Sequence, residues 1–462
     1  MKKTVSLLLA LACLLAAVGC TQTDTTRQPS LRSNADARQL AAPVYPEMAP
    51  YPDESKYFNA AGLFDSDEFD KVYDAWRADV KTQQDQPEGY ADGLDPFFAR
   101  SISTYLTNTT SENRVYSPLN LYMALAMLAE VTDGESRRQV LDLLGSDSID
   151  ALRRQATALW NANYRDDGAV TSILASSLWL NEDVTFVQET MDRLADTYYA
   201  SSFQGEMGSA GFNKALQNWL SEQTGGLLEE QAAGVEMSPE TILALATTLY
   251  FRAKWTNEFN EANTREGQFS LLSPDGDTLT CDFMHQSTSR NYYWGEKFSA
   301  VSQPLEGSCS MWFLLPDSGV SVNELLADQE ALDFLLSDGG WDNSKFLTVN
   351  LAVPKFDVSS DMGLGDGLKA LGVTDVFDPA LADFSPMTRD MDGIFLSQAQ
   401  HAARVTIDEE GCTAAAYTVM MACGSAMPPE EEVDFVLDRP FLFAITSTDG
   451  LPLFVGVVNR PV

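Results

Sequence analysis

The run TILALATTLYFRAKW, Thr241 to Trp255, narrows most what this 462-residue chain can become. It is apolar almost to its end and rich in β-tolerant residues, so it predicts a strand buried on both faces. Further strand patterns follow it. SMWFLLPD stops at Pro316, and FLTVNLAVPKFDV alternates, with Leu347, Val349, Leu351 and Val353 on one side. RVTIDEE, FLFAIT and LFVGVV come after. Helical patterns lie mainly ahead of these. In YSPLNLYMALAMLAEV, Ser117 can cap a helix with Pro118 at its first position, and Leu119, Met123, Met127 and Leu128 form the apolar stripe. Phe212, Leu216, Trp219 and Leu220 mark another helix, stopped by Gly225 and Gly226. Helices early and strands late, without βαβ alternation, predict an α+β fold with sizeable antiparallel sheets.

The N-terminus stands apart from this core. Lys2 and Lys3 precede the apolar run Val5 to Val18, and AVGC follows. That is the pattern of a secretory signal, too short for an ordinary membrane span. A cysteine directly after small residues resembles a bacterial lipobox, which implies cleavage before Cys20 and lipidation of its thiol. Residues 1–20 are therefore expected to be a lipoprotein signal peptide. Residues 21–93 read as a polar, proline-rich tether with one helix over 67–81, capped by Ser66 or Asp67 and carrying Phe69, Val72, Tyr73, Trp76 and Val80 on one face. Residues 94–462 read as one globular domain.

The formal net charge of −37 argues against a general binder of nucleic acid or anionic membranes, which needs clustered Lys and Arg. No basic cluster marks a site for a polyanionic partner. The six cysteines fit no zinc spacing, and two histidines, His285 and His401, cannot build a histidine-rich metal site. There is no GxSxG elbow and no P-loop, and Gly363, Gly365 and Gly367 miss a dinucleotide fingerprint. A hydrolase is thus the weakest functional class; His401, in a segment running into RVTIDEE, reads as a core histidine rather than a triad member. No metal and no cofactor are expected.

Between RVTIDEE and VDFVLDRPFLFAI lies EEGCTAAAYTVMMACGSAMPPEE, Glu409 to Glu431. Ordered loops of such length are uncommon and usually functional. Read with period two, one face is Cys412, Ala414, Ala416, Thr418, Met420, Ala422 and Gly424, small enough for a sheet interior; the other is Thr413, Ala415, Tyr417, Val419 and Met421. The segment is built as a strand yet stands where a loop belongs, an arrangement proteins normally avoid.

EEGCTAAAYT resembles the hinge of inhibitory serpins. The resemblance spans about 370 residues in order: RVYSPLNLYMALAML, FNKALQNWLSEQTGGLL, ATTLYFRAKWTNEF, SMWFLLPD, PKFDV, LKALGVTDVFDPALADFSPMT and DRPFLFAITSTDGLPLFVGVVNRP. It implies three β-sheets with eight to nine helices and an exposed reactive loop near the C-terminus. It implies a suicide substrate that traps a serine protease as an acyl-enzyme while the cleaved loop inserts into the main sheet. The hinge is then Glu409, Glu410, Gly411, Cys412, Thr413, Ala414, Ala415, Ala416, Tyr417 and Thr418. Counting fourteen residues on from Gly411, or three back from Pro428, places the reactive bond at Ser425–Ala426. A small residue there suits elastase-like pockets, with papain-like cysteine proteases as an alternative target. The shutter and breach positions are Ser117, Asn120, Thr247, Trp255 and His401. Asn120 stands where serine is common and Thr247 where asparagine is common, leaving Asn120 to partner His401. Cys412 replaces a threonine, and Tyr417 replaces a small residue on the outward face. These departures keep open a second function, a non-inhibitory protein of the same fold acting as protease substrate or binding module. The expected protein is a monomer that binds proteases, held by its lipid at the bacterial cell envelope, on the outer membrane or cell surface or at the periplasmic face.

Overall fold

The structure, a computed structural model, describes residues 36–59, 62–107, 111–272, 276–391, 393–397, 399–412 and 429–461. Two sheets dominate. The main sheet contains β1 (Arg38–Ala41), β2 (Thr171–Asn181), β3 (Ala200–Gly205), β4 (Leu243–Lys254), β5 (Phe356–Gly363), β6 (Gln400–Ile407) and β7 (Gly411–Cys412), in the spatial order β1-β3-β2-β4-β7-β6-β5. The second sheet runs from Glu432–Val436 at one edge through Ser344–Pro354 and Thr278–Trp294 to Arg114–Tyr116 at the other. Thr278–Trp294 is 17 residues long and runs on from one group of strands into the next, so the second and third of the expected sheets form one continuous hydrogen-bonded ladder. The expected helices are present, and eleven α-helical segments are assigned among the described residues. These include short turns such as Glu229–Ala233 and Val322–Leu326 and a helix in the N-terminal segment.

The expected strand at Thr241 to Trp255 is β4, buried on both faces from Thr247 to Phe251, with its early residues Ala244, Leu245 and Ala246 only half-buried. The N-terminal segment adds the helix α1 (Ser66–Gln84), capped by Asp65, whose carboxylate accepts from the Glu68 amide at 3.2 Å, one position ahead of the expected caps. Beneath the main sheet runs α2 (Pro118–Val131). Ser117 Oγ accepts from the Asn120 amide at 3.1 Å, as its type and position predict. All fourteen residues of α2 are buried rather than one stripe, because sheet and helices enclose it on every side.

Residues ahead of α1 do more than tether. β1 pairs antiparallel with β3 and so occupies an edge of the main sheet. Gly205 on β3 permits this approach: a Cβ there would lie 2.5 Å from the Asp36 carbonyl oxygen. Tyr45 is buried against Trp160, Tyr164 and Tyr199, with ring centroids 5.1, 5.3 and 6.2 Å away. The Tyr51 amide donates to Asp167 O at 2.7 Å, and the Trp76 indole donates to Ala49 O at 3.0 Å. Ala37 and Tyr45 belong to the same hydrophobic cluster as the C-terminal strands, so the segment shares one core with the globular part. Among the described residues no helix is long and apolar enough to cross a membrane.

Candidate functional site

The chain leaves β6 at Ile407 and turns at Asp408. The Asp408 carboxylate accepts from the amides of Glu410 and Gly411 at 2.9 and 3.1 Å, which fixes a tight turn. The returning strand β7 then enters between β4 and β6. Gly411 pairs with Lys254, and Cys412 pairs with Ala253 on one side and Ile407 on the other. Gly411 is needed for closeness rather than for an unusual dihedral: a Cβ would sit 2.5 Å from Ala253 O and 2.7 Å from Lys254 Cα. Cys412 is buried. Below Cys412, β4 and β6 are flanking strands that share no ladder with each other; β7 is what joins the two halves of the sheet.

Three residues hold this turn from beneath. The Trp255 indole donates to Asp408 O at 2.8 Å and its amide to Glu410 O at 3.0 Å. The Glu409 carboxylate, almost buried, accepts from Lys355 Nζ at 2.7 Å and from Thr264 Oγ1 at 2.6 Å. Burial alone would raise the Glu409 carboxyl, but those donors outweigh it and hold the group below its ordinary range. The sequence singled out Trp255 and Glu409 but missed Lys355 and Thr264. Lys355 lies in the PKFDV motif, which was quoted for its strand and not for its charge; Thr264 carries no signal of its own.

Farther down are Ser117, Asn120, Thr247 and His401. Thr247 and His401 each stand six residues before the partners of Cys412, on neighbouring strands that run the same way, and so share one level. His401 is buried, and its Nε2 accepts the Ser117 amide at 3.1 Å. Burial pulls its pKa down to about 4, so the ring is neutral at pH 7 with its proton on Nδ1. Asn120 does not partner His401, contrary to expectation. Its side chain is fully buried, and neither amide atom has a hydrogen-bond partner among the described residues. The Ser117 main chain has taken the imidazole nitrogen that Asn120 was expected to occupy. Thr247 lies opposite Ser176 in the β2–β4 ladder. His285 accepts from Arg265 Nε at 3.3 Å and contacts Phe283 O, an arrangement that presents no base to a serine nucleophile. Thr413 to Thr418, Ser425–Ala426 and Cys20 lie outside the described residues.

Among the described residues, the site brings no nucleophile beside a base. It offers a place for a strand: a slot flanked by two unjoined strands, already entered at its upper end by the first residues of the loop.

Comparison with known proteins agrees with this geometry. Residues 96–461 match the family model described as serpin (serine protease inhibitor). The chain is 28% identical over 382 residues to Serpin-ZX of Arabidopsis thaliana, covering 78% of this chain and 96% of that one. It is 29% identical over 376 residues to the human leukocyte elastase inhibitor, covering 80% and 97%, and 30% identical to the pig protein of that name over 373 residues, covering 79% and 97%. Among solved structures, the thermophilic serpin tengpin in its native state superposes with a TM-score of 0.72 at 25% identity, covering 81% of this chain and 95% of tengpin. The early helices and the main sheet, with Gly411 and Cys412 seated between its two central strands, are those of the serpin fold, and the chain belongs to the serpin family.

Proposed function

We propose that this protein is a suicide-substrate inhibitor of serine endopeptidases, with Ser425–Ala426 as the bond offered to the protease. The observation that carries this is the position of β7: Gly411 and Cys412 already pair in the slot between β4 and β6. The protease serine would attack the Ser425 carbonyl, forming an ester and releasing Ala426 as the new amino terminus, which takes the proton. Water would then normally free the enzyme. Insertion of Thr413 onward competes with that step, in the loop-insertion mode known for serpins.

The register at Cys412 dictates where each inserted residue would go. Ala414 falls between Phe251 and Val405, Ala416 between Leu249 and Ala403, and Thr418 between Thr247 and His401. Phe251, Leu249, Val405, Ala403 and His401 are buried, so this face requires small side chains, which the alternation supplies. Tyr417 points the other way, between Thr248 and Ala402. Gaining two ladders of backbone hydrogen bonds while burying small apolar groups is the driving force.

Ser425 suits a shallow specificity pocket, and the similarity to leukocyte elastase inhibitors supports elastase-class targets. The signal sequence and Cys20 support an exported protein held by lipid at a bacterial cell envelope. The test is to mix the purified chain with an elastase-class protease and run a denaturing gel. A covalent complex is expected; complete cleavage near Ser425 with no complex would instead establish a protease substrate.

A further inference from the structure

A second segment is tied to both sides of the slot. Helix α3 (Ala210–Gln223) packs on the face of β2 and β4, and the chain after it, through Gly225, Gly226 and the turn Glu229–Ala233, is bonded at Leu227 to a side chain of β6 before returning to β4. Much of this linker is bonded back to α3: Gln217 Nε2 donates to Val235 O at 3.1 Å, and the Met237 amide donates to Asn213 Oδ1 at 2.9 Å. At the far side it is held by Arg404 of β6, whose Nη1 donates to Leu227 O at 3.0 Å. The guanidinium is itself fixed by Asp357 of the neighbouring β5, through Nε at 2.8 Å and Nη2 at 2.5 Å. One side chain therefore uses a bidentate carboxylate pair on one side of the slot to grip a main-chain carbonyl of the element that rides on the other side. Strand parity places Arg404 on the covered face, opposite to His401, Ala403 and Val405, which are buried beneath the sheet.

We propose that Arg404 is a clasp that ties the α3–β4 linker over the slot and must release before a strand is added there. This rests on the insertion mechanism proposed above. An added strand must hold β4 and β6 two strand spacings apart, about 4.8 Å each, all along the slot. It must also pass its outward side chains beneath the linker. A hydrogen bond of 3.0 Å from β6 to an element carried on β4 does not survive that movement unless the linker leaves α3. Arg404 acts through the linker and touches no protease, so it is a positioning residue that slows insertion. A charge-assisted bond to a carbonyl, on a side chain that remains partly exposed, makes release of the clasp an effect of about fivefold in rate.

The experiment uses the full chain and a synthetic acetyl-TAAAYTVMMA-amide peptide, the sequence of Thr413 to Ala422. Uptake is followed as the appearance of a species with a raised melting temperature. Arg404→Ala is expected to take up peptide about fivefold faster than the wild type, and Arg404→Lys, which cannot keep both the bidentate pair and the carbonyl, by an intermediate factor. Asp357→Asn shifts the rate in the same direction. The native melting temperature falls further in Arg404→Ala than that of the loop-cleaved, inserted form, because the inserted form loses only the Asp357 pair and the native form loses the linker contact as well. An unchanged or slower rate, or equal destabilisation of both forms, overturns the clasp and leaves the insertion mechanism standing. No uptake by wild type or variant overturns both.

Discussion

His401 shows how burial becomes a pH effect at the level of one residue. Its folded pKa of about 4 lies below the ordinary histidine value near 6.5. Between those values the unfolded chain holds the proton and the native chain does not, so stability falls as pH drops through this window and levels off beneath it. The size is about 3 kcal/mol by the usual conversion. Urea unfolding from pH 7 to 4 is expected to show this slope, and His401→Gln to flatten it; an equal slope in the variant would move the titration elsewhere. The Glu409 carboxyl is also shifted down, but here because its donors favour the charged form over burial: its stabilisation is present at neutral pH and is lost as pH falls through and below the ordinary carboxylate range. Glu409→Gln keeps the reach to Thr264 but removes the ion pair with Lys355, and is expected to cost about 1–3 kcal/mol of native stability in the same assay. These residues also mark a boundary of sequence reading. Glu409 stood out beside a hinge glycine, whereas its partners come from Thr264 and Lys355, far away in the chain and brought close only by the fold.

At the scale of elements, the loop's first residues are the part on which the proposed inhibition turns. Gly411→Val places side-chain atoms where a Cβ alone would meet Ala253 O at 2.5 Å, so β7 is expected to leave the slot. Cys412→Arg puts a charge between Ala253 and Ile407, at a cost of several kcal/mol unless paired. In both variants a denaturing gel with protease should show cleaved chain in place of complex; undiminished complex would contradict the account of the hinge. The period-two pattern of small residues was legible because alternation along a strand is written directly in residue type. The helix cap at Ser117 was legible because capping is local. That Asn120 finds no partner among the described residues was not, since the competing Ser117 amide belongs to the backbone and leaves no trace in residue type. Nor was the Arg404 clasp, which joins a side chain to a carbonyl 177 residues earlier.

The molecule as a whole is larger than the family's matched segment. Residues 36–84 close one edge of the main sheet, fill an aromatic pocket with Tyr45 and lay α1 alongside the helix Ile149–Asn163. RQLA has neither length nor alternation enough to read as a strand, so β1 appeared only once β3 offered it an edge. Removing this segment exposes that edge and the Tyr45 pocket. A chain beginning at Ala91 is expected to lose about 3 kcal/mol or more of native stability and to self-associate on size-exclusion chromatography. The central claim is that the loop is a strand kept out of its sheet. It is tested most directly by cutting the loop at Ser425–Ala426 with a catalytic amount of protease and measuring thermal unfolding before and after. Insertion predicts that the cleaved chain melts well above the intact one; an unchanged or lower melting temperature after complete cleavage would contradict it.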